Sequence, residues 1–271
     1  MIQVTKNVYV ESAMIACNVG CLVTKAGLVM IDTPMRPTDA LKLRSEISGK
    51  GQIKYLIITE EHADHWQGGH FFPGTLITSH TTREKLAKIP AAVPLENVQH
   101  IDPQGVSLMA DYHIRLADIT FDENLSLYLG DQSLQLFRLP GHSTGGIGVY
   151  IPEEKVVFTT DIVFHKKKSW LQESDPEAWL RSLDKLSALD TRVVVPGHGA
   201  VTTRDVFIEE AGVIRKWIEA VKKALQKGLG LQEAIAQIPN QDPYPKQENT
   251  PMTEPELNRA IIARLYQYYS K

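Results

Sequence analysis

The chain has 271 residues, 43% of them hydrophobic and 23% charged, with a formal net charge of −3. That composition suits a globular protein able to bury a core, and the weak negative charge supplies no general attraction to nucleic acid or an anionic membrane. No apolar run approaches the ~18 residues that span a bilayer, and the start M-I-Q-V-T-K-N-V-Y-V lacks a charged stretch followed by an apolar one, so a cytoplasmic location is expected.

In chain order, Asn18 to Val23 and Leu28 to Asp32 are apolar runs around Lys25-Ala26-Gly27, which predicts a hairpin. Cys17 and Cys21 lie too close for a structural disulfide within a strand and cannot close a zinc site alone, so both read as small core residues. A helix is expected over Thr38 to Ile47, a buried strand over Tyr55 to Thr59, a strand at Leu76 to Thr78 and a short helix from Thr81 to Ile89. Pro90 to Ile119 shows no steady period and reads as a long loop over a site. Hairpins follow: Leu125 to Leu129 with Leu134 to Leu139, and Gly148 to Ile151 with Val156 to Thr159. Asp175-Pro176 opens a helix carrying Trp179, Leu183 and Leu186 on one face. Val193 to Val195 is a short buried strand; beyond it the pattern is helical, with a stripe from Phe207 to Leu225 and a last helix over Ala260 to Tyr269. Two packed sheets covered by helices account for this order.

The chemistry concentrates in Thr59-Glu60-Glu61-His62-Ala63-Asp64-His65, directly after a buried strand, where sites are commonly built. A lone histidine is more often a surface or core residue than a ligand. An aspartate beside two imidazoles is different, because burying its charge is costly unless it is paired or bound to metal. Downstream, His142 in P-G-H-S-T-G-G, Asp161 in T-T-D and His198 in P-G-H-G occupy turn or strand-end contexts, each histidine beside a glycine that lets the chain turn sharply.

This set resembles the metallo-β-lactamase superfamily, whose signature is T-H-x-H-x-D-H, then a G-H histidine, an aspartate after an apolar strand, and a final G-H. His62, Asp64, His65, His142, Asp161 and His198 match in the family's order, and Ile31-Asp32-Thr33-Pro34 resembles its early I-D-T-G element, whose aspartate supports the ligand loop from behind. The resemblance implies an αββα sandwich over residues 1–202 with a C-terminal helical extension, 203–271, packed on the same domain. It implies two divalent metal ions, zinc first, with iron or manganese as alternatives. One would be held by Glu60, His62 and His142, the other by Asp64, His65 and His198, with Asp161 bridging. A water shared by two such ions deprotonates near neutral pH, and Asp64 would be the catalytic residue that orients it and passes its proton on.

Position 60 departs from the family: Glu stands where His is usual. Three readings stay open, that Glu60 ligates metal, that its site is weak or empty, or that activity is lost. As a ligand, Glu60 brings the sum of two divalent ions, three carboxylates and a hydroxide to about zero, which acidifies bound water less than an all-imidazole set and favours harder metals. Glu61 is expected to face solvent, and Thr160 replaces a glycine common before the bridging aspartate. Lys166-Lys167-Lys168 reads as a solvated charge run, with Lys168 as a candidate contact to substrate at the mouth. Trp66 and Trp170 are further candidates for a substrate wall beside a core role.

The expected function is a metal-dependent hydrolase of a small ester, lactone, thioester or amide, with a small-molecule substrate, no nucleic-acid or membrane partner, and a homo-oligomeric contact through the tail left open. Alternatives are an iron-dependent oxidoreductase of the same fold, a β-lactamase, and a non-catalytic metal-binding protein. G-H-S-T-G is not a serine-hydrolase elbow, since Ser143 is not at its centre with partners following.

Overall fold

The computed structural model describes all residues except Ala16, Glu248, Asn249 and Pro251. A first sheet runs, in spatial order, β1 (Ile2–Gln3), β2 (Val8–Glu11), β3 (Val19–Thr24), β4 (Gly27–Ile31), β5 (Ile53–Ile57), β6 (Thr75–Ser79) and β7 (Ile119–Phe121). A second sheet is ordered β13 (Val193–Val195), β11 (Val156–Phe158), β10 (Ile147–Ile151), β9 (Gln132–Arg138) and β8 (Asn124–Leu129). β12 (Phe164–His165) and β14 (His198–Gly199) form a short parallel pair at one end.

Alternation within strands decides the layering. Leu22, Val29, Ile31 and Ile57 from the first sheet meet Leu136, Ile147, Val149 and Phe158 from the second, closing a core between the sheets. The opposite faces take helices, because β4, β5 and β6 are parallel and need crossovers. α1 (Pro37–Ile47), α2 (Ala63–Trp66), α3 (His80–Leu86) and α4 (Ala92–Ile101) belong to the first half, and α1 and α4 cover the outer face with Ala40, Leu43, Ile47 and Val98. α5 (Pro176–Ser187), α6 (Val206–Gln226), α7 (Leu231–Gln237) and α8 (Glu254–Tyr269) cover the second, where Trp179, Leu183, Ile214, Trp217 and Ile261 share one cluster with Phe137 and Val157. The result is the expected αββα sandwich with C-terminal helices. Asp175 caps α5 by accepting from Ala178 N at 2.9 Å. Among the described residues no helix is long and apolar enough to cross a membrane.

One expectation fails here. The segment 90–119 is not a loop over a site: it contains α4 and a 3-10 turn at Pro103–Met109, and Val98 and Met109 pack into the core behind the first sheet. Pro94 sits in the first turn of α4, where a missing N–H costs nothing. α8 also starts earlier than expected, at a capping box in which Thr253 accepts from Glu256 N while Glu256 accepts from Thr253 N.

Candidate metal centre

The ligand loop is fixed from beneath. Asp32 sits at the end of β4 with φ +58°, a left-handed conformation that aspartate tolerates better than most residues. Its carboxylate accepts Thr59 N at 2.7 Å and Thr59 Oγ1 at 2.6 Å, and lies 2.9 Å from His65 Nδ1. Thr33 Oγ1 donates to His65 O at 2.9 Å. With Nδ1 engaged, His65 turns Nε2 away from Asp32 towards Glu60 and Asp161. Glu61 does not face solvent. Its side chain is 8% exposed, and it accepts Gly145 N at 3.0 Å and Lys85 Nζ at 2.5 Å, so it ties the ligand loop to the turn carrying His142.

The remaining histidines and Asp161 arrive from the second half. Gly141, at φ +153°, precedes His142, and a Cβ there would lie 2.4 Å from Trp179 Cα. His142 Nδ1 lies 2.9 Å from Trp170 O, which leaves Nε2 free to face the cluster. Thr160 adopts φ +46°, which explains why glycine suits this position; its Oγ1 lies 3.1 Å from Thr59 Oγ1. Gly197 is required sterically, since a Cβ there would come 1.9 Å from Asp161 Oδ1. His198 stacks on Phe164, ring centroids 5.3 Å apart.

All seven sequence-predicted ligand positions converge. Asp161 Oδ1 is 3.4 Å from His65 Nε2, while Oδ2 is 3.5 Å from His142 Nε2 and 3.3 Å from His198 Nε2. His198 Nε2 is 3.3 Å from Asp64 Oδ2, and His142 Nε2 is 3.1 Å from His62 Nδ1. Glu60, fully buried, contacts His62 Nδ1 through Oε1 and accepts Ser143 Oγ at 3.0 Å through Oε2. Two groups, Glu60-His62-His142-Asp161 and Asp64-His65-His198, each bring their ligand atoms within 4.8 Å of one another.

Burial alone would push these carboxylates up and these imidazoles down, but mutual attraction reverses both. The imidazoles hold Glu60 below the usual carboxylate range, Asp64 at about 2 and Asp161 well below normal. The carboxylates raise His62 and His65 well above normal and His198 to about 10. His65 Nε2 and Asp161 Oδ1 are buried and make no hydrogen bond. Orphaned atoms facing each other inside a shell of imidazole nitrogens and carboxylate oxygens fit divalent cations.

The three candidate substrate residues fare differently. Trp66 is core, 4% exposed, with its indole N–H on Glu61 O. Lys168 does not reach a mouth: it is fully buried, and Nζ donates to Asn240 Oδ1 at 2.7 Å, so the lysine run is solvated only in part. Trp170 is part-buried beside the cluster and contacts His142 through its backbone carbonyl. Two neighbours were missed. Cys17, beyond a plain core role, donates Sγ–H to Asp64 O at 3.2 Å, and Glu173, exposed, has Oε2 3.8 Å from His62 Nε2. No motif marks either one.

A two-sheet sandwich with outer helices, gathering four imidazoles and three carboxylates from loops of both halves at one end, defines a class of metal-binding αββα proteins. The chain belongs to the metallo-beta-lactamase superfamily, whose sequence pattern it matches over residues 14–198. Among relatives, the hydroxyacylglutathione hydrolase of Brucella ovis is 43% identical over 160 residues, 59% of this chain and 51% of that one. That of Mesorhizobium japonicum is 35% identical over 78 residues, 29% and 31% of the two chains. A beta-lactamase-like protein 2 homolog of Caenorhabditis elegans is 24% identical over 192 residues, 70% and 58%. The chain thus spans from under a third to somewhat over half the length of these curated relatives. A metallo-beta-lactamase family protein from Thermus thermophilus superimposes with a TM-score of 0.72 at 18% identity, covering 99% of this chain and 94% of that one. The sec-alkylsulfatase Pisa1 from Pseudomonas sp. gives 0.73 at 17%, covering 99% and 50%. At such identities the likeness is one of fold.

Proposed function

We propose that this protein is a metal-dependent hydrolase of a small acyl substrate, with a thioester as the preferred class. The observation that carries this reading is the pair of orphaned buried atoms, His65 Nε2 and Asp161 Oδ1, at the centre of the ligand shell. Glu60, His62 and His142 would hold one divalent ion and Asp64, His65 and His198 a second, with Asp161 facing both groups. Such ions, zinc first, supply a water activated near neutral pH and polarise the scissile carbonyl.

The chain's own residues do the rest. Asp32 and the Trp170 carbonyl hold the imidazoles of His65 and His142 with Nε2 presented inward. Asp64, whose side chain is 24% exposed and which the neighbouring imidazoles keep ionised, can accept a hydrogen bond from the attacking water and so orient it. Glu60 makes the centre less cationic than a histidine would, which suits a leaving group that needs little protonation. A thiol, with a pKa of about 8.5, leaves far more readily than an amine or alkoxide. The hydroxyacylglutathione hydrolase relatives support the same substrate class.

Metal content per chain, by plasma mass spectrometry on wild type and Glu60→Ala, tests the centre; a panel of thioesters, esters, lactones, amides and β-lactams tests the substrate. Two ions falling to one in the variant, with thioesters turned over fastest, are expected. Metal-free protein with no turnover on reconstitution would sink the reading.

A further inference from the structure

We propose that the C-terminal layer is a positioning element for the metal centre: it clamps residues 168–175, and this strap in turn fixes His142, with Lys168 as the anchoring residue. The proposal rests on the reading of the cluster as a two-metal centre. The clamp lies beyond residue 198, where the family match ends.

The strap connects β12 to α5 and carries bonds on both sides. Towards the centre, Trp170 O faces His142 Nδ1 at 2.9 Å, and Asp175 N donates to Gly141 O at 2.8 Å. Towards the tail, Lys168 N donates to Pro245 O at 2.8 Å, and Lys168 Nζ donates to Asn240 Oδ1 at 2.7 Å and Glu254 Oε1 at 3.3 Å. Ser169 N donates to Asp242 Oδ2 at 2.8 Å, and Arg264 Nε donates to Ser174 O at 2.7 Å. Strap residues on either side of the Trp170 carbonyl are therefore held by Asn240, Asp242, Pro245, Glu254 and Arg264.

Lys168 is the informative member, because its side chain is fully buried. Burying an ammonium is costly, and an apolar side chain of similar volume usually stabilises a fold as well or better. What the ammonium adds is direction: it accepts only a place where Asn240 and Glu254 meet it, so it fixes the strap's register. Trp170, two residues on, then presents its carbonyl to His142 and sets which imidazole nitrogen carries the proton. The clamp is also selective. His142 belongs to the Glu60-His62-His142 group, whereas His65 in the other group is held by Asp32.

The test uses the full chain as wild type, Lys168→Met and Asn240→Ala, with two readouts. Zinc affinity is measured by competition with a chromophoric chelator, and the His142 tautomer by 15N–1H NMR on metal-free protein. Wild type should bind two ions; Lys168→Met should weaken one by tenfold or more and leave the other within about twofold, with mixed His142 tautomers. Asn240→Ala should shift both readouts the same way by less, and it decides the matter if Lys168→Met does not fold. Equal weakening of both ions, or an unchanged tautomer, would overturn the clamp. Wild type binding no zinc would instead overturn the two-metal reading, and the tautomer readout alone would then decide the clamp.

Discussion

Two buried clusters of charged side chains lie close together here and differ in how they end. The centre formed by Glu60, His62, Asp64, His65, His142, Asp161 and His198 leaves His65 Nε2 and Asp161 Oδ1 without hydrogen bonds. The second cluster, Lys168, Ser169, Glu210 and Asp242, closes on itself: Glu210 accepts Ser169 Oγ at 2.5 Å and Phe164 N at 3.1 Å, Asp242 accepts Ser169 N, and Lys168 has Asn240 and Glu254. The difference teaches that buried charge is no sign of a binding site by itself. Unsatisfied atoms converging on one point are. Substitutions in the first cluster should therefore cost function more than stability, whereas at Glu210 in the second the effect should fall on stability and its pH dependence.

The largest effect should come from Asp161→Ala, which removes the carboxylate facing both groups. At most one ion per chain should remain and turnover should fall by a factor on the order of 10³ or more, while the melting temperature of chelated protein falls as well, because His65 and His198 lose the carboxylate that pairs with them. Two ions retained per chain would collapse the distinction between the clusters. Gly197→Ala comes next: the new Cβ would collide with Asp161 Oδ1 at 1.9 Å and with Thr160 backbone at 2.8 Å, and a loss of metal together with about 1–3 kcal/mol of stability is expected, read by metal analysis and thermal unfolding. Asp32→Asn should weaken zinc binding about 10- to 100-fold through His65; affinity equal to wild type would mean that Asp32 merely braces Thr59.

The smallest effect probes the second cluster. Burial pushes the Glu210 carboxyl up to about 8 from 4.5, so the unfolded chain ionises first. Relative to Glu210→Gln, wild-type stability should be full below about pH 4.5, decline as pH rises and level off above about 8, a swing on the order of a few kcal/mol. Thermal unfolding of both proteins in chelator across pH 4 to 9 measures it. Parallel curves would place Glu210 in contact with solvent.

What the sequence made legible was what is contiguous. Glu60 to His65 carries four of the ligand positions within six residues, and glycine-flanked His142 and His198 stand out at strand ends. The central strands could be followed as short apolar runs, whereas the short strands β1, β2 and β7 at the two ends of the first sheet carry too few apolar residues to stand out. What stayed hidden depends on partners far along the chain. Lys168 looks solvated in a run of three lysines, since Asn240 and Glu254 lie 72 and 86 residues away. Glu61 looks exposed until the turn at Gly145 folds over it. α4 escaped because Pro90 and Pro94 flank and enter it and obscure its short apolar period.

The two thiols give the fold a pair of internal clocks. Cys21 lies in the middle of β3 with no exposed surface, whereas Cys17 sits in the loop before that strand, 2% exposed, its hydrogen on the Asp64 carbonyl. Burial raises both above the ordinary thiol range, so neither reacts while the fold is closed. Alkylation at Cys21 should report global unfolding, and alkylation at Cys17 the more frequent lifting of the loop off the ligand segment. The ratio of the two rates, with and without added zinc, measures whether metal binding at the centre tightens that edge of the sandwich.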